Sequence, residues 1–105
     1  MIPTETLQQV VRVLVDQAQP RMVILFGSYA RGEATDESDL DLLVVLRQVT
    51  SRRAEMVRLR NALRPLRIPA DVLVVSEAQL DEWGGVHGTV VHQALSEGRV
   101  LFEAA

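Results

Sequence analysis

The apolar run Met22-Val23-Ile24-Leu25-Phe26 stops at Gly27-Ser28, and after only ten further residues a second run begins at Asp39 and continues to Leu46. Short apolar stretches rich in β-branched residues, bounded by glycine and polar clusters, read as buried strands. The segment between them has room for one helical turn over residues 29–33 and a polar loop from Thr35 to Ser38. Such a connection suits strands that lie side by side without a full crossover helix between them. A sheet is therefore built into the middle of the chain, and the remaining segments must cover it.

Those segments carry the expected patterns. Leu7, Val10, Val11, Leu14 and Val15 recur at helical spacing, with Thr4 as N-cap and Pro20 closing the segment. Thr50 or Ser51 caps a second helix that places Met56, Leu59, Ala62, Leu63 and Leu66 on one face, with Pro65 disturbing its end and five arginines (Arg52, Arg53, Arg58, Arg60 and Arg64) on the rest. Pro69 opens a third strand, Ala70 to Val75, and Ser76 with Gln79 forms a capping box that starts a short helix ended by Gly84-Gly85. A last helix is predicted from Val86 to Glu97, turning Val90, Val91, Ala94 and Leu95 inward, with Gly98 as its left-handed C′ residue. Arg99 to Glu103 adds an edge strand. No repeat or linker divides the chain, so residues 1–105 are expected to form one domain. The fold class is α/β (α+β): a small mixed β-sheet of three or four strands with helices packed mainly on one side.

Composition narrows the function. No apolar stretch is long enough for a membrane span, cysteine is absent, and no secretory leader is apparent at Met1-Ile2-Pro3-Thr4, so cytoplasmic residence is expected. A net charge of −3 argues against a surface that grips long nucleic acid. Nucleotides remain compatible with it. All eleven basic residues are arginine, so any side chain that neutralises phosphate must be a planar guanidinium.

The chemistry lies at the junction of the two central strands. Alternation along a strand points Asp39 and Asp41 to one face, about 7 Å apart at Cα, where two carboxylates can converge on a cation. Magnesium takes hard oxygen ligands and is usually held by one or two carboxylates together with substrate phosphates. Asp71 is a third acid, in an otherwise apolar strand; alignment of that strand beside the second would complete a triad able to share a metal and accept a proton from an attacking hydroxyl. Gly27 permits close backbone approach, Ser28 offers a hydroxyl and an amide to phosphate oxygens, and Arg31 lies near enough in sequence to reach them. Glu33, Asp36 and Glu37 read as loop charges.

Taken together, these residues resemble the minimal nucleotidyltransferases of the DNA polymerase beta superfamily, and the resemblance covers nearly the whole chain. The family pattern of Gly-Ser, ten residues and Asp-x-Asp is met by Gly27, Ser28, Asp39 and Asp41, within the fuller forms Gly-Ser-x-Ala-Arg-Gly at 27–32 and Ser-Asp-x-Asp-Leu at 38–42. The resemblance implies that Asp39 and Asp41 bind Mg2+, that Asp71 is the third carboxylate, and that Gly27 and Ser28 hold the triphosphate. It further implies transfer of a nucleoside monophosphate, AMP from ATP, to an acceptor hydroxyl, with pyrophosphate leaving. Members of this size lack the helical acceptor domain of larger relatives and often pair with a helical HEPN protein, some as antitoxins that adenylylate a tyrosine of that partner. Two other readings stay open: an antitoxin that binds nucleotide but neutralises its partner by contact without turnover, and a small-molecule nucleotidyltransferase, whose pocket a homo-oligomer could supply.

Four residues are assigned no chemistry. His87 and His92 lack the spacing and the companions of a zinc site and are read as surface or capping residues. Trp83 is read as a core or hinge-anchoring indole, and Tyr29 as packing beside the turn. The arginine-rich helix face is read as solvated.

Overall fold

The computed structural model describes residues 2–105. Its elements in chain order are α1 (Thr4–Ala18), β1 (Met22–Phe26), α2 (Ser28–Arg31), β2 (Leu40–Leu46), α3 (Arg52–Leu63) with a 3-10 turn at Arg64–Leu66, β3 (Ala70–Ser76), α4 (Glu77–Trp83), α5 (Val90–Glu97) and β4 (Arg99–Glu103). The sheet order is β3-β2-β1-β4. β1 pairs antiparallel with both β2 and β4, while β2 and β3 are parallel and joined through α3. The short connection after Gly27 thus does join adjacent strands, and the parallel pair takes the long crossover that such pairing requires.

Each face of the sheet carries its own core, following the two-residue alternation of the strands. Leu40, Leu42, Val44 and Leu46 of β2 join Val72 and Val74 of β3, Val23 and Leu25 of β1, Val10 and Leu14 of α1, and Leu59 and Leu63 of α3. On the opposite face Leu43, Val45, Ile24, Phe26 and Val75 pack with Val91 and Ala94 of α5. The two long helices therefore lie on one side, and the shorter α4 and α5 cover part of the other. Strands β1 and β2 are sandwiched between these layers, which explains their nearly unbroken apolar sequence. Every β2 residue from Leu42 to Leu46 is buried.

Several expectations need correction. Thr4 is the first helical residue rather than the cap, a position taken by Pro3, whose fixed φ of −64° suits a helix entrance. Gln19, in the left-handed region at φ 45°, ends α1 just ahead of Pro20. The second helix is capped by Ser51, whose hydroxyl accepts the Ala54 N–H. The last helix starts at Val90 and not at Val86: the Thr89 hydroxyl accepts the His92 N–H at 3.1 Å and donates to the Val86 carbonyl at 2.8 Å, so residues 86–89 form a capped turn. That shortening leaves only Val91 and Ala94 buried, whereas Val90 and Leu95 are exposed. Trp83 is also exposed, not a core indole. Gly98 has φ −77°, outside the left-handed region; a glycine is needed there because a Cβ would overlap the Ala94 carbonyl and stand 2.5 Å from Ile24 Cγ2. The Ser76–Gln79 capping box is formed as expected, with both reciprocal hydrogen bonds present.

Candidate active site

The site begins with Gly27, where β1 ends. Its φ of 75° and ψ of −155° fall in a region open essentially to glycine alone. A Cβ at this position would overlap Asp41 Oδ2 and lie 3.0 Å from Asp41 Cγ. The turn and the acid are thus packed back to back, and glycine is required on both counts. From here the chain winds directly into α2, whose first turn is closed by the Gly27 carbonyl accepting the Ala30 and Arg31 N–H groups, each at 3.1 Å. Gly32, at φ 73°, ends that turn, and the Ser28 carbonyl accepts the Glu33 N–H at 2.9 Å. Ser28 and Arg31 therefore emerge from one rigid corner. Tyr29 packs at the edge of the α1/α3 core.

The sheet register brings the acids to this corner. Asp41 is paired with Phe26 of β1 on one side and with Asp71 of β3 on the other. Neighbouring strands lie about 4.8 Å apart, so Asp41 and Asp71 are flank to flank. Both keep the two-residue period of the second core, Asp41 with Leu43 and Val45 in β2 and Asp71 with Leu73 and Val75 in β3, which places them on the α5 face of the sheet. The Leu40 N–H donates to the Pro69 carbonyl at 2.9 Å and locks the starts of the two strands together. Asp39 precedes the first paired residue of β2 and is exposed, so it belongs to the loop end rather than to the strand proper.

Electrostatics mark Asp41 as the strained member. Its carboxyl is held above the usual range, first by burial, then by the charges of Asp71 and Asp39, with Arg31 acting in the opposite sense. Asp71 is exposed, and its Oδ1 has Arg60 Nη2 at 4.0 Å. Among the described residues, no three His, Cys, Asp or Glu side chains form a group that could hold a metal ion unaided. The donor set nonetheless fits Mg2+: it is made only of carboxylate oxygens, it repels itself, and this metal characteristically fills its shell with water and substrate phosphate.

One residue escaped the sequence reading. Glu97, the last residue of α5, accepts the Gly27 N–H at 3.1 Å, Arg31 Nη1 at 3.0 Å and Gln93 Nε2 at 2.8 Å through Oε1. Those donors hold its carboxyl below the usual range, the Gln93 and Arg31 hydrogen bonds most strongly. A signal was present: an acid in the last turn of a helix opposes the helix dipole and calls for a cation nearby. Arg31 is that cation, with Glu33 Oε1 on its Nε at 2.7 Å. Of the loop charges, Glu33 is thus tied to the corner, while Thr35 and Ser38 shape the loop through the Ser38 hydroxyl accepting the Thr35 N–H at 2.8 Å. His87 and His92 contact each other with ring centroids 4.2 Å apart and planes tilted by 47°.

Comparison with known proteins bears on the family and the fold. The sequence profile of the family described as Polymerase beta, Nucleotidyltransferase matches residues 8–105. A curated relative, "Putative protein adenylyltransferase MJ1379" of Methanocaldococcus jannaschii, is 48% identical over 40 residues, a stretch covering 38% of this chain and 40% of that protein. The match thus spans well under half the length of that relative. A solved structure described as a "putative minimal nucleotidyltransferase" is 32% identical, covers 93% of this chain and 95% of its own, and superposes with a TM-score of 0.61. The fold also recurs, at 19% identity and a TM-score of 0.60 over 95% of this chain and 71% of the other, in the complex of a tri-AMPylated Shewanella oneidensis HEPN toxin with an MNT antitoxin. A profile match over almost the whole sequence, joined to a relative aligned end to end at this identity, establishes that the chain belongs to the Polymerase beta nucleotidyltransferase family.

Proposed function

We propose that this domain transfers AMP from ATP to an acceptor hydroxyl, and that the acceptor is a tyrosine of a HEPN-domain partner. The observation that carries the reading is the register: Gly27 backs onto Asp41, and Asp41 is paired with Asp71, so a phosphate-binding turn and the acids meet at one end of one sheet face. The choice of group and partner is supported by curated relatives described as "putative protein adenylyltransferase" and by the recurrence of the fold in a complex of an MNT antitoxin with a tri-AMPylated HEPN toxin.

In this reading the Gly27 and Ser28 amides and the Ser28 hydroxyl bind the phosphates, Arg31 takes up their negative charge, and Asp39, Asp41 and Asp71 hold Mg2+. The metal, when bound, neutralises charge that develops on the phosphates and aligns the α-phosphate. Asp71, the exposed acid at the edge of the triad, receives the proton of the acceptor hydroxyl. The acceptor oxygen then bonds to the α-phosphorus as the bond from that phosphorus to the bridging oxygen breaks, and the electron pair leaves with pyrophosphate. Positioning by the rigid corner contributes alongside this proton transfer.

Calorimetry of ATP with and without magnesium tests the binding half: tight binding that survives in chelator would refute a cation-mediated role for Asp39 and Asp41. For the chemical half, Asp71→Asn should leave Mg-ATP largely bound, because Asp39 and Asp41 still hold the metal, while slowing transfer by about 10² to 10⁴, the usual worth of general-base help. Equal loss of binding and transfer would instead make Asp71 a ligand only.

A second reading has its own observation. Trp83, Val86, Val90, Leu95 and Val100, in the stretch of chain from α4 to β4, are exposed large hydrophobic residues, as is Val57 on α3. Exposed apolar side chains are available for partner contact, which fits an antitoxin that acts by binding alone.

A further inference from the structure

Glu97 sits where the nucleotide reading puts phosphate. Its two oxygens take the Gly27 N–H and Arg31 Nη1, at distances between 3.0 and 3.1 Å. The remaining paired nitrogen of Arg31, Nε, is held by Glu33 at 2.7 Å. The Gly27 N–H and the Nε and Nη1 donors of Arg31 are therefore already engaged by carboxylates of the protein itself. Carboxylate and phosphate oxygens compete for the same charge-assisted donors in the same geometry. A triphosphate and Glu97 cannot both hold them, and their like charges repel at this range.

We propose that Glu97 is an intramolecular competitor of the triphosphate: a carboxylate latch that holds Gly27 and Arg31 in the nucleotide-free protein and is displaced when nucleotide binds. The inference rests on the nucleotide reading above and specifies how that site is regulated. Three features support a latch over a fixed strut. Glu97 is the last residue of α5. Its side chain is 22% exposed and so already reaches solvent. Gln93, one helical turn earlier and exposed, steadies the closed position by donating Nε2 to Glu97 Oε1 at 2.8 Å.

A ligand that must displace a closed state binds with an apparent affinity reduced by the fraction of open protein. Loosening the latch should therefore tighten binding. Glu97→Gln keeps the volume and removes the charge; Gln93→Ala leaves Glu97 in place but removes its support. Mg-ATP affinity of the purified full chain, measured by calorimetry, should rise about tenfold in Glu97→Gln and a few-fold in Gln93→Ala, while both melt at or below the wild-type temperature. If Glu97→Gln does not fold, Gln93→Ala carries the test alone. Wild-type protein that binds Mg-ATP, with variants of equal or weaker affinity, would overturn the latch and make Glu97 a strut that positions Arg31. Wild-type protein that fails to bind Mg-ATP would overturn the nucleotide reading and the latch with it. The two failures are separated by the wild-type titration.

Discussion

Replacing Gly27 by alanine perturbs the one position where backbone conformation and the acid cluster depend on each other. An L-residue held at φ 75° and ψ −155° pays roughly 1–3 kcal/mol of backbone strain. The new methyl would also overlap Asp41 Oδ2 and stand 3.0 Å from Cγ, so Asp41 must leave its rotamer or the strands must part. An off-rotamer side chain adds about 0.5–1.5 kcal/mol. Together these give a loss of about 2–4 kcal/mol, which for a domain of this size lowers Tm by roughly 10–25 °C. Gly32→Ala is the control: it too requires positive φ, at 73°, but nothing lies within 4 Å of the added carbon. Its cost should stay near the roughly 1–2 kcal/mol of a left-handed residue alone. Thermal unfolding followed by circular dichroism, with Mg-ATP titration of each variant, reads both effects. Gly27→Ala should lose most of its stability margin and its nucleotide affinity, and Gly32→Ala should keep a measurable part of each. A Gly27→Ala protein that melts within about 3 °C of wild type would refute the claim that turn and acid are packed back to back.

Asp41→Asn should stabilise the nucleotide-free protein at neutral pH while abolishing Mg-ATP binding. The sign follows from the raised Asp41 carboxyl: a folded-state pKa above the ordinary 3.8 favours folding at low pH, and that contribution is lost as pH rises through the raised value. A permanently neutral side chain avoids the loss, so the Tm advantage of Asp41→Asn should be largest near pH 7 and vanish below about pH 4; a constant advantage at all pH values would contradict it. Gly98→Ala places a Cβ against the Ala94 carbonyl and 2.5 Å from Ile24 Cγ2, and should cost about 1–3 kcal/mol by overpacking although φ is ordinary. Unchanged denaturant stability would show that the start of β4 yields freely.

The central strands, the turn and the order of the elements were readable because each has a local cause: apolar runs end at glycine, Ser76 and Gln79 cap reciprocally, and the acids alternate with leucines. Asp71 could be named as the third acid because an acid in an apolar strand demands a reason, and its pairing with Asp41 then depended only on which strands adjoin. What local pattern could not show was competition over distance. Glu97 reaches Gly27 across 70 residues, a contact that no periodicity encodes. The pattern of Val90, Val91, Ala94 and Leu95 does not fix where their helix starts, and the Thr89 hydroxyl, bonded to the Val86 carbonyl and the His92 N–H, sets it at Val90 and not at Val86. Gly98 looked like a left-handed cap, and it is glycine instead for lack of room beside Ile24.

The central claim is that the acids at this corner transfer AMP to a partner. The direct measurement is incorporation of label from α-labelled ATP into a co-expressed HEPN-domain protein, with mass spectrometry to locate a tyrosine adduct and growth to report toxicity. The account predicts magnesium-dependent labelling of the partner by the wild-type chain, and loss of both labelling and protection when Asp39, Asp41 and Asp71 are all changed to asparagine. Absence of labelling, with protection equally strong from the wild type and the triple variant, would contradict it and leave binding by contact as the function of this domain.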